Sequence, residues 1–85
     1  LGFNSPSFKI KKKYFNKQMT IIDLIILSKL ENSRSEVRRL IKGDAVKLND
    51  KIISDEKFII DRKLFNKDYL KLSIGKKRHL KIQLD

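Results

Sequence analysis

The chain has 85 residues, 21 Lys+Arg against 10 Asp+Glu, a net charge of +11 and no cysteine. That length holds one small domain and leaves no room for a doubly wound or barrel enzyme. The lack of cysteine excludes disulfides and thiolate metal sites, and makes a reducing setting, the cytoplasm, the expected one. So basic a chain suits a polyanion, either nucleic acid or an anionic membrane surface. The longest wholly apolar run, Leu24 to Leu27, is far too short to span a bilayer. The chain opens on Leu1 with no secretory pattern behind it, and so reads as a piece of a longer protein.

In chain order, residues 1–19 read as a linker or N-terminal extension from an upstream domain. Gly2, Asn4, Ser5 and Pro6 precede a lysine cluster at Lys9, Lys11, Lys12 and Lys13, with Phe8 and Ile10 as a short extended piece leaning on the domain. The folded domain is expected over residues 20–85. Thr20 and Asp23 stand at capping-box spacing, so a first helix should run from there to about Leu30. Ile21, Ile22, Leu24, Ile25, Ile26 and Leu27 make it apolar almost all round, which requires cover from a second helix and a sheet.

The second helix is announced by Ser33 and Glu36, again at capping-box spacing, and should close at Gly43 through the left-handed conformation. Val37, Leu40 and Ile41 fall on one side of its wheel. Arg34, Arg38 and Lys42 form a stripe on another, with Ser35 and Arg39 beside it. Only Glu36 and Asp44 are close in sequence, so the stripe reads as under-neutralised and suited to an anionic partner.

Beyond Gly43 the period becomes two. Val46 and Leu48 flank Lys47, Asn49-Asp50 makes a turn, and Ile52 lies on a second short strand. Phe58, Ile59 and Ile60 read as a buried extended segment, and residues 64–68 as a loop. Leu70, Leu72 and Ile74, then Leu80, Ile82 and Leu84, form a last hairpin around Gly75 with Lys76, Lys77 and Arg78 at its tip. Helices followed by strands predict an α+β domain: a helical hairpin packed on a small, mostly antiparallel sheet.

Groups for catalysis are sparse. His79 is the sole histidine and falls on the outward face of a strand; no glycine-rich phosphate loop is present. No cofactor or metal is expected, and the residues point to binding rather than chemistry.

The stretches Thr20-Ile-Ile-Asp-Leu, Ser33-Arg-Ser-Glu-Val-Arg-Arg-Leu-Ile-Lys-Gly and Ala45-Val-Lys-Leu-Asn resemble the RNA-binding domain named after small-subunit ribosomal protein S-four, the alpha-L motif. With Tyr69-Leu-Lys-Leu-Ser-Ile-Gly-Lys-Lys-Arg-His-Leu added, the chain is most similar to the C-terminal domain of bacterial-type tyrosyl-tRNA synthetases. Two departures stand out. Gly43-Asp44-Ala45 replaces a common Gln-Gly-Gly, and Asp50 stands where glycine commonly follows the asparagine.

The resemblance implies a tRNA-binding domain whose target is the long variable arm of tyrosine tRNA. It implies contacts from Ser33, Arg34, Ser35, Arg38, Arg39 and Lys42 and, beyond the helix, from Lys47, Lys76, Lys77 and Arg78. It further implies an upstream catalytic domain that ligates tyrosine to tRNA with ATP and Mg, in a homodimeric parent enzyme, whereas this piece alone would be monomeric and non-catalytic. The "HIGH"-like and "KMSKS"-like signatures of that catalytic domain do not occur here. Alternatives are the same RNA-binding domain from a pseudouridine synthase or ribosome-associated protein, a membrane-surface module, and a plain structural domain. The membrane reading would need exposed apolar residues beside the cations.

Overall fold

Thr20 and Asp23 start the first helix as their spacing requires. The Thr20 hydroxyl accepts from the Asp23 amide at 3.2 Å, and Asp23 Oδ2 accepts from the Thr20 amide at 3.2 Å. In this computed structural model, which describes residues 7–16, 18–65 and 69–84, the helix is α1 (Ile21–Leu27). It stops short of the expected Leu30. The Ser28 hydroxyl turns back to donate to the Ile25 carbonyl at 2.8 Å, and Lys29 takes a left-handed φ of 64°, so the chain leaves the helical path.

The connection leads into α2 (Arg34–Lys42), where the Ser33 hydroxyl accepts from the Glu36 amide at 3.3 Å. The reciprocal half of the expected box is replaced: the Glu36 carboxylate pairs with Arg39. The helix ends where expected, but the left-handed residue is Asp44 (φ 60°) and not Gly43 (φ −87°). The Gly43 amide still donates to the Arg39 carbonyl at 3.0 Å, continuing the helical pattern. Reversal comes one residue later, as the Ala45 amide donates to the Leu40 carbonyl at 3.0 Å.

The strands are β1 (Ser7–Ile10), β2 (Val46–Leu48), β3 (Lys51–Ile52), β4 (Tyr69–Ile74) and β5 (Arg78–Leu84), in sheet order β1-β5-β4-β2-β3. All neighbouring pairs are antiparallel except β1 and β5, which run parallel from Ser7 opposite Lys81 to Ile10 opposite Leu84. The extended piece expected at Phe8 and Ile10 is thus a hydrogen-bonded edge strand, with Ile10 fully buried in the core. Asn49 and Asp50 join β2 to β3 with φ of 51° and 69°, the positive pair that matches a two-residue turn to sheet twist. The Asn49 carboxamide locks this turn: Nδ2 donates to the Leu64 carbonyl at 2.8 Å and Oδ1 accepts from the Lys71 amide at 3.1 Å.

One core joins the layers. Ile21, Leu24 and Ile25 of α1, Val37 and Ile41 of α2, and Val46, Leu70, Leu72 and Ile82 of the sheet are all excluded from water. Residues 58–60 run along the start of α1, where the Phe58 carbonyl accepts from the Ile21 amide at 2.9 Å and the Ile60 amide donates to the Met19 carbonyl at 2.7 Å. That satisfies one of the donors a helix leaves open at its first turn. Extended backbone turns successive side chains to opposite sides, so Ile60 is buried while Ile59, expected inside, is 43% exposed. Arg62–Leu64 form a short 3₁₀ turn capped by Asp61, and residues 66–68 of the expected loop lie outside the described residues. No described helix is long and apolar enough to cross a membrane.

Replacing Leu24 by Ala should cost about 2–5 kcal/mol, because the cavity would open between α1, α2 and the sheet. A thermal melt unchanged from the parent would show that the core lies elsewhere. At Asp44 a side chain beyond Cβ works against the left-handed backbone. Asp44→Gly should therefore match or exceed the parent stability by up to about 1 kcal/mol, and Asp44→Val should lose at least about 1 kcal/mol. Equal melting of the two variants would contradict a backbone origin.

A third expectation concerns acid. Burial alone would raise the Asp23 carboxyl, but the Thr20 amide, the Arg34 guanidinium and the Thr20 hydroxyl together hold it below the usual carboxylate range. The unfolded chain therefore binds this proton more readily, so the contribution is present above the ordinary carboxylate pKa and lost as pH falls through the lower folded value. The stability gap between the parent and Asp23→Asn should close as pH is lowered from about 6 to about 2. A gap constant across that range in chemical denaturation would rule out Asp23 as a source of acid sensitivity.

Candidate nucleic-acid interface

Helix α2 is anchored by Val37 and Ile41, which point into the core, so its other sides face water. Arg34, Arg38, Arg39 and Lys42 are all exposed there, as are Ser33 and Ser35 at the first turn. The arginines are not as under-neutralised as neighbouring sequence implies. Arg34 Nη2 lies 3.0 Å from Asp23 Oδ1 on α1, and Arg38 Nε lies 3.0 Å from Glu56 Oε2. Arg39 pairs with Glu36 one turn earlier, which raises its already high pKa. Asp23 and Glu56 lie well away from α2 in sequence, so only the fold brings them to these arginines. Exposed pairs of this kind contribute little to stability because water and salt screen them. They orient the guanidinium groups without removing them from reach of a phosphate oxygen.

Ser33 Oγ and Ser35 Oγ lie 2.9 Å apart, so one hydroxyl donates to the other at the start of the helix. Among the described residues Lys42 makes no ion pair, and its ammonium lies in the last turn, where the helix dipole favours a cation.

The tip of the β4–β5 hairpin is brought against the helical pair at two points. The Gly75 amide donates to the Ala45 carbonyl at 2.8 Å, just beyond the end of α2. Arg78 Nη1 donates to the Leu30 carbonyl at 3.2 Å and to Glu31 Oε2 at 3.4 Å, in the connection between the helices. The Glu31 carboxyl is held below its ordinary value by the Asn32 amide first and by Arg78. Lys76 and Lys77 remain exposed beside these contacts. Arg78 thus fastens the tip to the helices, a structural use that residue type alone did not disclose.

His79 also has a use that its place on an outward strand face did not suggest. Its Nδ1 lies 3.1 Å from Ser73 Oγ and its Nε2 lies 3.1 Å from the Lys76 carbonyl. A carbonyl only accepts, so Nε2 carries the proton in the neutral ring and the Ser73 hydroxyl donates to Nδ1. The imidazole satisfies the buried Ser73 and ties down the backbone of the basic tip. Lys47 stands apart from the rest. Val46 and Leu48 on either side of it are buried in the helix-covered core, so Lys47 projects from the other face of the sheet. The structure therefore gathers the α2 residues and the hairpin tip on the helical side and places Lys47 elsewhere.

The described residues offer no group of three or more His, Cys, Asp or Glu side chains that could hold a metal ion. A shallow groove of about 310 Å³ beside α1, lined in part by Tyr14, Met19, Ile26 and Leu27, is open and largely apolar.

The comparisons with known proteins agree with one another. Residues 3–82 match the model of the Tyrosine--tRNA ligase SYY-like C-terminal domain. The chain is 54% identical over 84 residues to the tyrosine--tRNA ligase of Pelagibacter ubique (strain HTCC1062), covering 99% of this chain and 20% of that protein. It is 40% identical over 80 residues to the enzyme of the same name from Wolbachia sp. subsp. Brugia malayi (strain TRS), covering 93% of this chain and 19% of that protein. The corresponding figures for that of Ehrlichia chaffeensis are 39% over 79 residues, 92% and 19%. The chain thus spans about a fifth of the length of these relatives. With nearly its whole length matched and an α+β fold built on two capped helices, the chain belongs to the family of tyrosine–tRNA ligase C-terminal domains.

Proposed function

We propose that this domain binds tRNA for a tyrosine–tRNA ligase, holding the phosphates of tyrosine tRNA, in particular those of its long variable arm, on the exposed side of α2. The observation that carries the reading is the row of Arg34, Arg38 and Lys42 on a helix whose opposite side is locked into the core by Val37 and Ile41. Such a row presents cations at one-turn intervals on a rigid element, the arrangement that reads the shape of a folded RNA through its backbone. Lys76 and Lys77, on a tip fastened to the helices by Gly75 and Arg78, extend the surface. The guanidinium–carboxylate pairs of Arg34 and Arg38 are weak enough for a phosphate to replace the carboxylate. Ligation itself, with its ATP and Mg, belongs in this reading to the rest of a parent enzyme acting in the cytoplasm as a homodimer; this domain contributes affinity and orientation of the tRNA. The ligase branch is preferred to a pseudouridine synthase or ribosome-associated protein because the matched family and the similar proteins are tyrosine–tRNA ligases.

The test compares two double variants of equal charge. Arg34→Gln with Arg38→Gln should leave the fold intact, weaken tRNA binding across sequences and reduce the salt slope by about one per lost phosphate contact. Lys51→Gln with Lys63→Gln, both exposed on the β3 side, should act only through the weaker long-range field, which salt screens. Equal losses with equal salt slopes would assign the effect to total charge and remove α2 as the site. In the same assay a tRNA with a long variable arm should bind better than one with a short arm; indistinguishable affinities would leave general RNA binding and withdraw the tyrosine-tRNA assignment.

A further inference from the structure

The sheet has a second face, turned away from the helices, and it is cationic. Backbone alternation places Lys9 of β1, Lys47 of β2, Lys71 of β4 and Lys81 of β5 on it, together with Tyr69. Registers fix their arrangement. Lys47 is opposite Ser73, one step of the alternation from Lys71; Lys71 is directly opposite Lys81; and Lys9, opposite Gln83, is one step further on. The four ammonium stems therefore follow a single diagonal across four strands. With about 4.8 Å between strands and about 3.3 Å per residue, that line is about 20 Å long.

Two features make this more than a solvated surface. Lysines on a sheet commonly guard edge strands against pairing with another chain, but β4 and β5 are interior strands with partners on both sides. Moreover, like charges directly opposite on antiparallel strands are destabilising, and Lys71 faces Lys81 in this way. The fold offsets part of that repulsion. Lys71 Nζ lies 3.0 Å from Asp50 Oδ1, and Lys81 Nζ sits 4.8 Å from the centroid of the Tyr69 ring. Among the described residues the ion pair found on this diagonal is that of Lys71 with Asp50, so the four lysines leave it positive.

We infer that this open sheet face is a second RNA-binding surface, which takes the phosphate backbone of a single-stranded segment along the diagonal from Lys47 to Lys9. One line of cations suits one backbone, whereas a duplex offers two at a fixed separation. Tyr69 adds an aromatic ring that an unpaired base can reach, as on other sheets that bind single strands. Membrane binding fits less well: among the described side chains that alternate onto this face, the large apolar groups are Tyr69 and, on the β3 edge opposite Lys47, Ile52, and interfacial anchoring needs several more. The inference takes its ligand class from the RNA-binding reading above, but assigns a different surface and a different form of RNA. It also gives Lys47 a role that the helical site does not.

The probe is an unstructured 12-mer of uridine, titrated against the 85-residue chain by fluorescence anisotropy at several salt concentrations. Lys71→Gln with Lys81→Gln should lower the magnitude of the salt slope by about 1.4, at about 0.7 per phosphate on a single strand, and weaken binding about tenfold at low salt. Arg34→Gln with Arg38→Gln should keep most of that oligomer's affinity while losing affinity for tRNA. A second pair on the same diagonal, Lys9→Gln with Lys47→Gln, should reproduce the sheet effect, and thermal melts check that each variant is folded. The inference is overturned if folded sheet variants bind the oligomer as the parent does, or if Lys51→Gln with Lys63→Gln loses as much. Loss of binding to anionic vesicles with RNA affinity unchanged would also overturn it, in favour of a membrane. If instead neither the sheet nor the α2 variants alter binding to any RNA, the RNA-binding function itself is what fails.

Discussion

Helix α1 has a single polar side chain, Asp23, in its seven residues, and no orientation of such a helix leaves an acceptable face in water. It must be covered, and much of the architecture follows from how. Helix α2 lies along it, the sheet lies beneath, and residues 58–60 close over its first turn by backbone hydrogen bonds. A domain of this size buries too small a fraction of its surface for an uncovered apolar helix to be tolerated. The one polar residue is placed at the helix start, where it caps the backbone and reaches Arg34 on the neighbouring helix. The same carboxylate thus begins one helix and sets the rotamer of a guanidinium on the other.

Covering α1 in this way divides the remaining surface into two cationic regions with different geometry. On α2 the charges stand on a rigid rod, spaced by helical turns and oriented by carboxylates from other elements. On the open side of the sheet they stand on a flat, pleated ground, spaced by strand separation. In the proposed reading the first takes the curved backbone of a folded RNA and the second an extended strand. Local carboxylates keep net repulsion tolerable on both, and their exposed pairings are weak enough to exchange.

Local chemistry was readable from residues alone. Thr20 and Ser33 cap helices because a hydroxyl three residues ahead of an acid has few other uses, and strand alternation around Gly75 leaves little freedom of register. Non-local chemistry was not. Glu56 lies beyond two strands from Arg38, and no spacing rule couples them. The parallel pairing of β1 is equally hidden, because four residues with two apolar side chains carry no sign of which edge they will join. Asp44 and Asp50 illustrate an intermediate case. Both stand where the family resemblance leads one to expect glycine, and both adopt the positive φ that glycine would take most easily. The end of α1 was missed because Ser28 competes for a helical carbonyl, an effect of one hydroxyl that an apolar periodicity does not register.

The pairing of β5 with both β1 and β4 bears on how the domain comes into being. β5 is the last of the described strands in the sequence, yet it lies between the first of them and the rest of the sheet. During synthesis Ser7–Ile10 and the buried Ile10 side chain have nothing to pair with until Arg78–Leu84 have left the ribosome. The helical hairpin and the β2–β3 turn rest on contacts close in sequence, which favours early formation, whereas β1 depends on a strand at the far end of the described residues. Assembly therefore ends with both extremities of the described chain joining at one side of the sheet, and loss of only a few residues from β5 would release the first strand as well as the last.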